Sequence, residues 1–403
     1  MRCGLLGEHL SHSYSPQIHG LLGDDSYALF EVEPLKLQDF LENGEFDGIN
    51  VTIPYKKAVM PFCAELSEAA KAMGCVNTLL RRKDGSLFGD NTDLNGFLWL
   101  LERNGGICAG EKALVLGSGG ASSTVQAVLR SFGANCVEVS RNGKVNYVNY
   151  KEHSDAVLLV NATPVGMYPN NGETLVDLGA LPKLRCVLDL IYNPQRTRLL
   201  LDAEQRGIRA ENGLSMLVAQ AKRAREIWTG KRISDSFCDD ILCKLSAQMR
   251  NIILIGMPGS GKSTVGQLLA QRLGRSFYDA DAEIVKKVGP IPEFFEKYGE
   301  ARFRQIETEV LSELGKKSGC VIATGGGCVT REENYLWLHQ NGIIVRLNRS
   351  LELLPTDGRP ISQSTSLQAL FEKRDPLYTQ FADLTVENVN IEQTVQTILE
   401  AIQ

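Results

Sequence analysis

With 403 residues, 43% of them hydrophobic and 23% charged, the chain is long enough for two or three domains with well-buried cores, and its composition excludes a disordered protein. A formal net charge of −5 excludes a global attraction to nucleic acid, so basic residues must act locally, on small anions. Ten scattered cysteines without a C-x-x-C pair read as reduced thiols used as small core residues. There is no apolar window of about 18 residues, and the N-terminus MRCGLLGEHLSHS lacks the apolar core of a signal peptide. A cytoplasmic protein with neither a membrane nor a nucleic-acid partner is therefore expected.

Runs of β-formers at 2 to 7, 26 to 32, 48 to 54 and 76 to 80, with helical patterns between them, predict a small α/β unit. SHSYSPQIHG places Ser11, Ser13 and Ser15 on a loop after the first strand, before Pro16 opens a helix. Their hydroxyls suit a polyhydroxylated anion and equally suit simple capping. His9, His12 and His19 crowd the same loop. Without a carboxylate or cysteine at ligand spacing they read as solvated or capping residues rather than metal ligands. GINVTIPYKKAV sets Asn50, Thr52 and Lys56 at the end of an apolar strand, where α/β folds place ligands. GCVNTL then brings Asn77, and GDNTDLNG brings Asp90, Asn91 and Asp93.

Each fragment alone is equally an ordinary strand end or turn. In this order and spacing, SHSYSP, NVTIPYK, GCVNTL and GDNTD resemble the substrate domain of shikimate dehydrogenases. The resemblance implies that Ser13, Ser15, Thr52, Asn77 and Gln220 hold the ring hydroxyls and carboxylate of the substrate, with Lys56 and Asp93 as the catalytic pair. The chemistry agrees: reducing a ring ketone creates an alkoxide that needs a proton, and an ammonium beside a carboxylate can polarise the oxygen and deliver it. Leu94 stands where that family usually has glycine, and His9-Leu10 lies in a loop that usually carries proline.

KALVLGSGGASSTVQAVL reads as strand, glycine turn and helix, with Gly117, Gly119 and Gly120 where a pyrophosphate would approach the backbone; a tight turn with no ligand fits the fragment too. The next strand ends in CVEVSRNGK. At the ribose position of a dinucleotide fold, Arg141 suits the 2′-phosphate of NADP(H), where an acid would suit NAD. Val145, with Lys144 beside it, stands where the family often adds a second arginine. AVLLVNATPVGM (156 to 167) and VLDLIYNPQRTRLL (187 to 200) read as buried strands with turns and resemble the family's nicotinamide-side segments. Asn161, Thr163 and Met167 are candidate cofactor contacts, a plain strand with a Thr-Pro turn being the alternative. In ENGLSMLVAQAKRAREIWTG, Leu214, Leu217, Val218, Ala221 and Trp228 form one apolar face with Met216, Gln220 and Ile227 on its flank. This helix is expected to fold back onto residues 1 to 100. Residues 229 to 249 predict a last helix and a short connector, with a boundary near 248.

NIILIGMPGSGKST (251 to 264) fits G-x-x-x-x-G-K-[ST] after a strand. Gly256, Gly259, Ser260, Gly261 and Thr264 would cradle phosphates, Lys262 would sit on the β/γ-phosphates, and the Ser263 hydroxyl on Mg²⁺. FYDADAEI is read as an extended segment with Asp279 and Asp281 on one side, Asp279 suiting a water-linked Mg²⁺ contact and Asp281 a hydroxyl acceptor. PEFFEKYGEARFRQIETEVLSEL brings Arg302 and Arg304, VIATGGGCV brings Gly325, Gly326 and Gly327, TDGRPIS brings Arg359 in what reads as a mobile lid, and FEKRDPLY brings Arg374. Singly these arginines are ordinary surface residues. Together, GMPGSGKST, DADAEI, GEARFRQIE, TGGG, DGRP and KRDPLY resemble shikimate kinases. That implies shikimate binding by Asp281, Arg304, Gly326, Gly327 and Arg374, and ATP and Mg²⁺ binding by Lys262, Ser263 and Asp279. Arg359 would close over the transferred group, and Asp281 would orient the attacking hydroxyl.

The fold class expected is α/β: a two-lobed dehydrogenase (1–100 plus 213–248 for substrate, 101–212 as a Rossmann NADP-binding lobe) followed by a P-loop kinase domain with a parallel sheet (249–403). The resemblances imply a bifunctional enzyme that reduces 3-dehydroshikimate with NADPH and phosphorylates shikimate with ATP, its partners being small molecules. Two alternatives stay open: a first half that accepts quinate or NAD, and a metabolite-sensing regulator without turnover. The chain leaves the oligomeric state open.

Overall fold

Cys3–Gly7 (β1) is apolar and buried at all five positions because it lies inside a sheet rather than at its edge. The computed structural model describes residues 1–10, 13–23, 26–354 and 367–402. By contact the chain divides into two units: Met1–Pro164, Leu175–Tyr192 and Asp202–Lys244 form the first, and Val165–Thr174, Asn193–Leu201 and Leu245–Gln403 the second.

The first unit holds two sheets. One contains β1, β2 (Ala28–Glu31), β3 (Gly48–Val51), β4 (Cys63–Leu66), β5 (Thr78–Arg81) and β6 (Leu87–Asp90) in the order β2-β1-β3-β5-β6-β4. Strands β2, β1 and β3 run parallel, while β5 runs antiparallel to both β3 and β6. This arrangement brings the ends of β1, β3 and β6 and the beginning of β5 to one edge of the sheet. The other sheet is wholly parallel: β7 (Lys112–Leu116), β8 (Asn135–Val139), β9 (Leu158–Asn161), β10 (Cys186–Asp189) and β11 (Arg209–Asn212), ordered β11-β10-β9-β7-β8. Its strands β7, β9 and β10 are apolar except for one polar residue at an end of each, Lys112, Asn161 and Asp189, as burial on both faces demands.

Helix Leu214–Thr229 returns to the first sheet, where the Trp228 indole donates to Leu79 O at 3.0 Å. The small residues Ala221 and Ala224 let it pack closely. Leu217, expected on the buried face, is only half-buried; Ala219 takes that place. Gly230, in the left-handed conformation, ends this helix, and a second helix, Asp235–Met249, leaves Arg250 alone before the next strand.

The second unit carries a parallel sheet of β12 (Asn251–Ile255), β13 (Phe277–Asp279), β14 (Val321–Ala323), β15 (Gly342–Asn348) and β16 (Leu384–Glu387), ordered β13-β14-β12-β15-β16. β12 sits at its centre, so the loop that leaves it opens at the middle of the carboxyl edge, where ligands of open α/β sheets bind. Among the described residues no helix is long and apolar enough to cross a membrane.

Candidate active sites

In the first unit the loops at the shared edge build a polar network. Lys56 Nζ lies 2.7 Å from Asp93 Oδ2, and Asn77 Nδ2 donates to Asp93 Oδ1 at 2.9 Å. Asn77 Oδ1 accepts from Thr92 N at 2.7 Å, and Thr92 Oγ1 lies 3.3 Å from Gln220 Oε1. Lys56, Asn77, Asp93 and Gln220 are thus brought together, with Thr92 as the link that sequence reasoning missed. The ion pair keeps side-chain exposures of 32% and 22%, enough for a substrate to reach both groups. Burial alone would lower the Lys56 pKa; the Asp93 carboxylate and its hydrogen bond outweigh that and hold it above the usual lysine value. At neutral pH the group is an ammonium, a donor rather than a base.

Thr52 follows β3 and donates its N–H to Leu6 O at 2.9 Å. Ser15 opens helix Ser15–Leu21 and donates its N–H to Ser13 Oγ at 3.2 Å. These loops leave neighbouring parallel strands at the same edge. Ser11 and His12 lie outside the described residues. His19 is neither solvated nor a cap: it is fully buried, stacked at 4.1 Å on Tyr27 and 5.2 Å on Trp228 in a cluster of three rings. Tyr192, also missed, meets the Tyr14 ring edge-on at 5.8 Å.

At the carboxyl edge of the parallel sheet, Gly117 has φ 104°, and a Cβ added to Gly119 or Gly120 would meet nothing within 4 Å. Helix Gly120–Ser131 starts there, so open space faces an unsatisfied helix N-terminus, which fits a pyrophosphate. Arg141 is exposed two residues past β8. Asn161 bridges strand ends, donating to Asp189 Oδ1 at 3.0 Å and accepting from Thr163 Oγ1 at 2.7 Å. Met167 is exposed and belongs to the second unit.

In the second unit, Gly256, Gly259 and Gly261 take φ of 144°, 86° and 92°. The loop they form is braced from behind by Asn388, which donates to Ser260 O at 2.6 Å. Lys262 Nζ folds over the loop, donating to Gly256 O and Met257 O at 3.0 Å, while Thr264 is exposed in the first turn of helix Lys262–Leu273. Ser263 Oγ donates to Asp279 Oδ2 at 2.5 Å. Asp279 and Asp281 do not share one side of an extended segment. β13 stops at Asp279, whose Oδ1 accepts from the N–H groups of Asp281 and Ala282, so Asp279 is an N-cap and Asp281 lies in the first turn of helix Ala280–Val288.

A cavity of about 790 Å³ beside the loop is lined by Lys262, Ser263, Asp279, Asp281, Arg304, Glu307, Gly325 to Gly327 and Arg374. Arg304 donates to Glu307 at 2.7 Å and to Glu300 at 3.2 Å, and Arg374 donates to Gly326 O at 3.0 Å, an oxygen that also accepts from Tyr378. Gly327 leaves the guanidinium room to lie on its backbone: a Cβ there would fall 2.1 Å from Arg304 Nη2. Glu307 was missed in the sequence, although it lies three residues after Arg304 on one helix. It is fully buried, and desolvation raises its carboxyl pKa despite the opposing Arg304 charge. Among the described residues, Glu307 Oε1 and Arg374 Nε have no hydrogen-bond partner, an acceptor that suits a ligand hydroxyl and a donor that suits an anionic group. Arg302 is exposed and pairs with Gln305. Arg359 lies outside the described residues.

The folds and edge loops define two classes of catalyst in one chain: a two-sheet α/β dehydrogenase and a P-loop phosphotransferase. The chain belongs to the shikimate dehydrogenase family, and its C-terminal part matches the shikimate kinase family. The shikimate dehydrogenase substrate binding domain model matches residues 5–79, and the shikimate kinase model matches residues 258–403. The NADP(+) shikimate dehydrogenase of Clostridium perfringens is 37% identical over 267 residues, covering 61% of this chain and 98% of that protein. Among solved structures, a chorismate mutase/shikimate 5-dehydrogenase fusion protein from Clostridium acetobutylicum is 38% identical with a TM-score of 0.57, covering 60% of this chain and 96% of that one. The Thermus thermophilus shikimate 5-dehydrogenase in complex with NADP(H) and shikimate is 32% identical with a TM-score of 0.55, covering 60% and 99%.

Proposed function

We propose that the chain is a bifunctional shikimate-pathway enzyme: residues 1–248 reduce 3-dehydroshikimate to shikimate with NADPH, and residues 249–403 phosphorylate shikimate to shikimate 3-phosphate with ATP. The observation that carries this reading is a Lys56–Asp93 pair at 2.7 Å in a chain that also closes Asp281, Arg304 and Arg374 around the cavity beside the phosphate loop. Within the first half, residues 1–100 and 213–248 serve the substrate and 101–212 the dinucleotide.

NADPH supplies the hydride. Lys56 donates a proton to the ring alkoxide, Asp93 keeps that lysine charged and aimed, and Asn77 fixes the carboxylate. Ser13, Ser15, Thr52 and Gln220 hold the remaining hydroxyls and the carboxylate of the substrate. Gly117, Gly119 and Gly120 admit the pyrophosphate, Arg141 meets the 2′-phosphate, and Asn161 and Thr163 serve the nicotinamide side.

In the second half, ATP supplies the phosphoryl group and Mg²⁺ offsets its charge. The Ser263 hydroxyl would hold the ion, and Asp279, which accepts from that hydroxyl, would reach it through water. Arg304, Arg374 and the backbone at Gly326 and Gly327 hold shikimate, and Asp281 orients the attacking hydroxyl. Lys262 and Arg359 stabilise the negative charge of transfer. A cytoplasmic location accords with these substrates.

Assays of shikimate with NADP⁺ and of shikimate with ATP test the assignment on wild type, Lys56→Ala and Asp281→Asn. Each substitution should abolish one reaction and largely spare the other; hydride transfer surviving in Lys56→Ala would remove the assigned role.

A further inference from the structure

Val165–Thr174 and Asn193–Leu201 lie between parts of the dinucleotide-type sheet in sequence, yet both belong by contact to the second unit. They follow β9 and β10, and the first carries Met167. The polar runs VGMYPNNGET and NPQRT would ordinarily form solvated loops, the second ending where the buried leucines of helix Arg198–Gln205 begin. Here they are bonded at a corner made by the end of helix Glu333–His339 and the start of β15.

The bonds run one way, with backbone and side-chain groups of the two segments donating to the corner. Asn171 Nδ2 donates to Gln340 Oε1 at 2.7 Å. The N–H of Arg196 donates to Gln340 O at 2.8 Å, and the N–H of Gln195 donates to Asn341 Oδ1 at 2.8 Å. Arg196 Nη1 lies 3.0 Å from His339 Nδ1. The two segments are joined to each other by Tyr168 N–H donating to Asn193 O at 3.0 Å. Gly172, with φ +90°, lies so close to Trp337 that an added Cβ would sit 2.8 Å from the indole. Asn171, Gln195, Gln340 and Asn341 are all buried. A buried amide without partners is costly, so four of them meeting at one corner specify a register rather than merely fill space.

We infer that this corner is a docking site for the two loops, and that Gln340 and Asn341, residues of the kinase-like part, are positioning residues for hydride transfer. Pro164 joins the docked segment directly to Thr163 and Asn161 at the exit of β9, so anchoring the loop restrains the chain on the nicotinamide side. The kinetic consequence rests on the dehydrogenase reading given above; the docking does not.

The test uses the full chain as wild type, Gln340→Ala, Asn171→Ala and the double variant. In shikimate oxidation, KM for NADP⁺ should rise about fivefold in each single variant, the worth of one neutral hydrogen bond, with the double variant no worse than the more severe single one. KM for shikimate and the ATP-dependent reaction should stay within about twofold, because one bond is removed away from both groups of ligands. Amide hydrogen exchange in peptides spanning 165–174 and 193–201 should accelerate about tenfold as the loops are released. Asn171→Ala, on the loop side, keeps the test decisive if Gln340→Ala disturbs the helix. Unchanged exchange overturns the docking, and faster exchange with an unchanged KM for NADP⁺ overturns the positioning role. A wild type that fails to oxidise shikimate would sink the dehydrogenase reading instead, while the exchange comparison would still decide the docking.

Discussion

Replacing His339 by glutamine should remove a pH-dependent weakness of the second unit. The imidazole is buried between charged and aromatic groups: Arg196 at 3.0 Å on Nδ1, Asp383 at 3.2 Å on Nε2, and the Tyr335 ring at 4.8 Å. An arginine can only donate, so Nδ1 accepts and the proton sits on Nε2, facing the carboxylate. Protonating Nδ1 would set two donors against each other. Burial first, and then the Arg196 charge, push the His339 pKa from 6.5 down to about 3. Between those values the unfolded chain binds a proton that the folded one refuses, so stability is full above pH 6.5 and falls as pH drops toward 3. From 6.5 against about 3, the loss on going from pH 8 to pH 5 is about 2 kcal/mol. Glutamine can reproduce both bonds, accepting through Oε1 and donating through Nε2, without titrating. Urea unfolding of wild type and His339→Gln at pH 8 and pH 5 isolates the term, because other titrating groups cancel in the comparison. The variant should lose about 2 kcal/mol less than wild type. Equal losses would mean that His339 is not held neutral by this environment.

Two substitutions probe the ligand sites themselves. Gly327→Ala puts a methyl group into the Arg304 guanidinium, which must swing away from the glycine backbone, so KM for shikimate in the phosphorylation assay should rise about tenfold or more while NADP⁺-dependent oxidation is unchanged. Arg141→Ala should raise KM for NADP⁺ by roughly tenfold to a hundredfold, the worth of charge-assisted bonds to phosphate, and leave KM for NAD⁺ nearly unmoved. Equal effects on the two dinucleotides would place Arg141 away from the 2′-phosphate and return weight to the NAD-using alternative.

Residues that carry chemistry within a short stretch were legible in the chain: Gly256 to Thr264 are contiguous, and Asn77 and Asp93 lie 16 residues apart across one hairpin. The Asp279 cap was misread because paired acids suggested an extended segment. Asp279 followed by ADAEIVKKV, with acids in the first turn and lysines in the last, is the better signal, since the carboxylate satisfies N–H groups of the first turn. Glu307 was open to discovery from its spacing, three residues from Arg304 on the same helix face. No comparable signal exists for His19 or Asn388. The first is buried because it packs with Tyr27 and Trp228 in one three-ring cluster, and Asn388 reaches Ser260 across 128 residues.

The corner around Gln340 marks the limit of a linear reading most clearly. Composition and motif divide the chain near residue 248, where one catalytic pattern ends and the next begins. Contacts between side chains follow a different rule: Asn171 meets Gln340 across 169 residues and Gln195 meets Asn341 across 146. A polar loop that finds buried amide partners loses the freedom that polar loops ordinarily keep. If that restraint reaches Asn161 and Thr163 through Pro164, the loops that Gln340 and Asn341 hold act on the dinucleotide side of the chain. The kinetic signature would then be confined to the dinucleotide, because Lys56, Asp93 and Asn77 are held by their own network and gain nothing from the corner.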